Sequence, residues 1–166
     1  MKKRGWAIIL ACVVVLVCVC FVLSGQESRW GADIPSDVPD LIEEYMDTYK
    51  RGTEYSVEYM HFEDEFVRQA YIDTGNNLLD YQVESIEKVN DNLYAVTVQV
   101  KTANHVLMFG DSYEQVYNFV VRIDGKWYYV NGVTNIPPDL QENLDPSKYS
   151  YNDDNIVSHE DVFVIG

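Results

Sequence analysis

Four residues of this chain have the chemistry to line a ligand cavity: Asp47, Tyr94, Tyr117 and Tyr129. Between them a carboxylate and phenols supply a proton acceptor and neutral hydrogen-bond donors. Tyrosines of a globular domain more often pack in core or rim with the hydroxyl hydrogen-bonded. The motifs that would assign catalysis are missing: there is no Ser/His/Asp spacing, no H-E-x-x-H pair, no P-loop and no glycine fingerprint ahead of a helix. His61, alone before a helical stretch, reads as a structural or surface residue. Asn152, Asp153, Asp154 and Asn155 offer oxygen ligands for calcium. They lack the spaced D-x-D-x-D-G pattern and the bidentate Glu of an EF-hand, so a solvated tail is expected there. No catalytic residue, metal site or cofactor is expected.

Thiol chemistry is confined to one place. Cys12, Cys18 and Cys20 all lie within Trp6 to Leu23, an uncharged apolar run that follows the basic cap Met1 to Arg4. The remainder has no cysteine, hence no disulfide, thiolate metal site or thiol nucleophile. Ile9-Leu10-Ala11-Cys12 is a partial lipobox, but it sits too early and leaves a dozen apolar residues after it. Cysteine as a small apolar filler of a membrane helix is the preferred reading. The run is long for a signal-peptide core and at the short end for a span. It reads as an uncleaved anchor held by residues such as Trp6, Leu10, Val14, Phe21 and Leu23, with cleavage near Ser24 or Gly25 as the alternative. Lys2, Lys3 and Arg4 should stay cytoplasmic by the positive-inside rule, which places everything after Gln26 outside as a single-pass protein.

Charge narrows the partners. Of the 12 basic residues three precede the apolar run, whereas all 27 acidic residues follow it, and the formal net charge is −15. Nucleic-acid affinity depends on Lys and Arg neutralising phosphates, so a domain this acidic is not expected to bind DNA or RNA. A protein partner at the cell surface is the expectation.

The elements that would position these residues follow in order. Residues 1–25 form the basic cap and anchor, 26–36 a short polar linker, 37–135 an α+β domain, and 136–166 a polar tail. Leu41, Ile42, Tyr45, Met46 and Tyr49 repeat as one face of an amphipathic helix that begins near Ser36 and ends at Gly52. Thr53 to Met60 suggests a short second helix. Glu63 to Asp73 suggests a third, with Phe62, Phe66, Val67, Ala70 and Tyr71 as its apolar stripe. From Leu78 the period switches to two. Ile86 and Val89 break the alternation, which predicts a bulge or bend near Ser85. Tyr94, Val96, Val98 and Val100 share one face of the next strand. A connection then carries the apolar tip Val106, Leu107, Met108 and Phe109, which is either folded onto the core or a partner-contact patch. Two strand-forming runs flank Asp124-Gly125, the signature of a type I′ hairpin. After Pro137-Pro138 periodicity is lost, and Val162 to Ile165 could add an edge strand.

Two or three helices followed by a bent, four-stranded antiparallel meander is an α+β layout with helices on one sheet face. With the phrase DGKWYYVNG at the last hairpin, this order resembles the nuclear-transport-factor-2-like (cystatin-like cone) superfamily over roughly Asp37 to Val133. The phrase GKWYYVNG also looks like a choline-binding repeat, but such repeats come in arrays and here it occurs once. The resemblance implies a cone-like domain of a membrane-anchored bacterial surface protein. In that setting it would be an extracytoplasmic binding or scaffold module, as in the bitopic subunits of secretion and conjugation assemblies. The alternative it implies is a small-ligand receptor or isomerase. Isomerases of the superfamily combine a carboxylate base with Tyr and acid donors in an apolar pocket.

Overall fold

The computed structural model describes residues 29–149 and the backbone of 156–158. The chain separates into two compact units, Met1–Ala32 and Asp33–Gly166. The expected membrane anchor, the Asn152 to Asn155 cluster and the Val162 to Ile165 run lie outside the described residues. Among the described residues no helix is long and apolar enough to cross a membrane.

The larger unit is α+β. Helix α1 spans Asp37–Arg51 with Asp37 and Asp40 in its first turn and Lys50 and Arg51 in its last, each complementing the helix dipole. Gly52 closes α1, its N–H reaching the carbonyls of Thr48 and Tyr49, and its φ of 154° is one that a side chain would strain. A short helix α2 (Thr53–Ser56) and a 3₁₀ turn (Val57–Tyr59) follow at once. Helix α3 spans Glu65–Asp73, with the Asp64 side chain accepting the Phe66 N–H as its cap.

Strands β1 (Leu78–Asn90), β2 (Leu93–Thr102), β3 (Ser112–Ile123) and β4 (Lys126–Asn131) form an antiparallel meander in chain order. The short strand β5 (Ile156–Ser158) pairs with the first residues of β3, Ser112 to Glu114. The Asp124-Gly125 turn has φ of 50° and 82°, the two positive values that a type I′ hairpin needs. The register of β1 on β2 shifts between Val83 and Ser85, where the broken alternation predicted a bulge. Helix α4 (Ala103–Phe109) links β2 to β3, in place of the expected irregular connection. Thr102 accepts the His105 N–H and starts it.

The pairing register sorts the sheet into two faces. Val83, Ile86, Tyr94, Val96, Val98, Val120 and Tyr129 are buried and belong to the face opposed by α1. Val38, Ile42, Tyr45 and Met46 of α1 are buried against it, and the Tyr45 and Tyr129 rings stack at 3.8 Å between centroids. Burial of such side chains stabilises by roughly 1.5–3 kcal/mol each, which is what holds the helix on the sheet.

The opposite face corrects the expectation of a polar tail from residue 136. Leu93, Ala95, Phe119, Val121 and Val130 form a second core cluster with Ile136, and Leu140, Leu144 and Tyr149 pack against it. The segment does this through 3₁₀ turns at Val133–Asn135, Pro138–Leu140 and Pro146–Tyr149. Such turns are too short and tight to show the periods of two or 3.6 that reveal longer elements. Polar anchors fix the segment: the Asn90 amide donates to the Leu140 and Glu142 carbonyls, and Lys148 pairs with Glu87 at 2.6 Å.

Candidate functional site: a cleft between helix α3 and strand β4

Helix α3 has the expected apolar stripe but buries none of its residues. Phe66 is 81% exposed and Val67 53% exposed. The cause is placement. Asp64 caps the helix in the segment that leaves the sheet after Met60, which makes a single parallel bridge to Tyr129 of β4. From there the chain diverges from the edge strand and opens a cavity of about 590 Å³. Val67, Ala70 and Tyr71 line its helix side, Tyr129 and Asn131 its strand side, and Ile136 to Pro138 its end. A smaller cavity of about 190 Å³ lies under α1, lined by Tyr49, Leu78, Val116 and Asn118 among others. Tyr129 and Asn131 border both cavities.

Three lining residues of the large cavity, Tyr71, Tyr129 and Asn131, belong to a hydroxyl and amide network that runs behind its wall. The Tyr45 and Tyr71 hydroxyls lie 3.1 Å apart, and the Tyr71 hydroxyl is 2.8 Å from that of Ser56. The Asn131 amide nitrogen donates to the Tyr45 hydroxyl at 3.2 Å. The Tyr129 hydroxyl donates to the sulfur of Met46 at 3.6 Å. Thr53 is wholly buried and donates its hydroxyl to the Ile72 carbonyl, which fastens α2 to α3.

Burial pushes the Tyr45 phenol far above the ordinary tyrosine range, and the neighbouring phenols Tyr129 and Tyr71 add to the shift. Burial likewise raises Tyr129 and Tyr71, the latter against partial relief from its bonds to Ser56 and Tyr45. These phenols are neutral donors at any physiological pH, not bases. Glu63 and Asp64 are the carboxylates of the cavity wall. Asp64 is committed to the α3 cap, and no hydrogen bond joins either carboxylate to a phenol. Among the described residues no group of three or more His, Cys, Asp or Glu side chains could hold a metal ion. The arrangement can offer hydrogen bonds and apolar surface to a ligand. It presents no paired acid and base.

Of the four residues expected to line a cavity, Tyr129 borders both of these cavities, and Asp47, Tyr94 and Tyr117 border neither. Asp47 faces solvent and accepts the Tyr81 hydroxyl at 2.9 Å, joining α1 to β1. Tyr94 is buried and meets Trp127 edge-on at 5.4 Å. Tyr117 is on the other face, edge-on to Tyr149 at 5.7 Å. The sheet therefore separates these four instead of gathering them. Sequence reasoning passed over Asn131 and took Tyr71 only as part of the apolar stripe of α3. One signal was present: the period-two pattern puts Asn118 and Asn131 opposite each other on the face of Val120 and Tyr129. Polar residues facing each other on a core face mark where packing gives way to a cavity.

The patch Val106 to Phe109 occupies the outer side of α4, with Leu107 85% exposed. Beneath it is a juxtaposition that no sequence spacing indicated. His105 Nε2 is 2.7 Å from Ser112 Oγ, and Nδ1 is 3.8 Å from a Glu114 carboxylate oxygen. The order is that of nucleophile, base and carboxylate. However, His105 is 5% exposed and Ser112 6%, neither lines the two cavities, and 3.8 Å is too long for a hydrogen bond. The pair is a fastening between α4 and β3, reinforced by the Lys101–Asp111 ion pair.

No protein-family model matches the chain, and comparison with curated proteins and with solved structures gives no match.

Proposed function

We propose that this protein is a membrane-tethered extracytoplasmic binding module that docks a protein partner in the α3–β4 cleft. One observation carries the proposal: an amphipathic helix leaves its apolar stripe unburied beside an open cavity of about 590 Å³. Exposed, contiguous apolar surface rimmed by polar groups marks interaction sites in soluble domains. The neutral phenols favour holding a ligand over transforming it, and Asp64 is committed to the α3 cap. Tethering rests on the apolar run Trp6 to Leu23, and the extracytoplasmic placement of the domain rests on the basic residues Lys2, Lys3 and Arg4 ahead of it. The α+β order of helices before a four-stranded meander is consistent with a nuclear-transport-factor-2-like module. On that reading, the partner belongs to an envelope or secretion-type assembly.

A small-ligand reading has one observation in its favour, the cavity volume, which falls within the roughly 300–1,000 Å³ usual for ligand sites. Affinity purification from detergent-solubilised membranes separates the two. A partner retained by the wild-type chain and lost by Val67→Arg supports docking. Recovery of the chain alone, with saturable binding of a small molecule, supports the alternative.

A further inference from the structure

We propose that the segment seated in the α3–β4 cleft is a cationic, apolar peptide of the partner protein, recognised by acidic residues around an apolar floor. This rests on the reading of the cleft as a docking surface and adds the chemistry of its occupant. Glu63 and Asp64 lie in the cavity wall, and among the described residues neither Lys nor Arg lines it. Glu65 and Asp73 at the two ends of α3 extend the acidic rim, and the one cation of the helix, Arg68, is paired with Glu65 at 3.1 Å. Phe62 and Tyr71 present aromatic rings 5.6 Å apart in the same wall, suited to a lysine or arginine stem and its charge. The apolar part of the surface does not stop at the cavity. Phe66, Val67 and Ala70 lie within one turn of each other and are all exposed, and Phe66 extends the apolar surface past the residues that line the cavity. A second copy of the chain is disfavoured, because two molecules of net charge −15 would bring acidic rims together.

The test uses the full chain in nonionic detergent and three labelled synthetic peptides of about 12 residues, roughly three helical turns. One alternates Lys with Leu at helical spacing, one replaces Lys by Glu, and one replaces Leu by Ser. Binding is read by fluorescence anisotropy for wild type, Val67→Arg, Glu63→Lys and Leu107→Arg. Micelles take up each peptide equally in every arm, so differences between variants decide. All three substituted residues are exposed, and a circular-dichroism melt confirms that each variant is folded. The Lys/Leu peptide should bind wild type and Leu107→Arg alike, and Val67→Arg about tenfold more weakly, as at an interface hot spot. Glu63→Lys should weaken it severalfold, and both other peptides should bind at least about tenfold more weakly than Lys/Leu. Equal binding of the Glu/Leu and Lys/Leu peptides, both lost in Val67→Arg, would overturn the cationic occupant and leave the cleft as a docking surface. Lys/Leu binding indifferent to Val67→Arg, or no saturable binding of any peptide, would overturn both. Equal loss in Val67→Arg and Leu107→Arg would reduce the effect to bulk charge and overturn the proposal.

Discussion

Tyr45 is the residue on which the helix layer and the cleft depend together. Its ring stacks on Tyr129, and its hydroxyl joins Tyr71 of α3 to Asn131 of β4. Tyr45→Phe keeps the stacking and removes the hydroxyl's bonds to half-buried partners, so it should cost about 1 kcal/mol in urea denaturation. The same network makes an alkaline prediction. In the unfolded chain these phenols ionise near the ordinary value of 10.0, whereas burial raises Tyr45, Tyr71 and Tyr129 in the folded state. Above about pH 10 the unfolded state has therefore released protons that the folded state keeps, so stability is full below that pH and falls as pH rises. Ultraviolet titration at the tyrosinate band should show a subset of the 13 tyrosines ionising only as the fold is lost. Ionisation of all of them in a still-folded protein would contradict the burial of this network. Asp80 shifts the other way: burial pulls its carboxyl up, but bonds from the Tyr113 hydroxyl, the Tyr81 N–H and Lys50 outweigh it and hold the carboxyl below the usual range.

Among the elements, those with a strong local code were legible. Asp124-Gly125 demands a type I′ turn, the broken alternation near Ser85 marks the β1 bulge, and the spacing from Leu41 to Tyr49 gives α1. What stayed hidden depends on partners distant in sequence. Periodicity showed the apolar stripe of α3 but could not tell a stripe that packs from one left open. The residues after Ile136 lack a period because they cover the second face through 3₁₀ turns. Ile136→Ala should therefore destabilise by about 2–4 kcal/mol, a core penalty rather than that of a solvated tail. Val67→Arg should shift stability by no more than about 0.5 kcal/mol, as expected at the surface. Helix α4 hangs on the His105–Ser112 contact, 2.7 Å long and buried. His105→Ala should speed hydrogen exchange across Ala103–Phe109 while leaving the β2–β3 ladder protected, a local opening and not a global one.

At the scale of the whole molecule, a sheet closed on both faces has no structural need for the surface that α3 leaves open. Helix α1 covers one face and the segment from Val133 to Tyr149 covers the other. The apolar run ahead of the domain and its basic cap set the expected topology: a reporter fused after Gly166 should be active only outside the cytoplasm. The most direct measurement is photo-crosslinking in the producing cell, with a photoreactive residue placed at Val67 in the cleft or at Glu84 on β1. A discrete adduct of one partner from Val67 and none from Glu84 is the expected result. No adduct from Val67, or the same adducts from both positions, would contradict a docking role for the α3–β4 cleft.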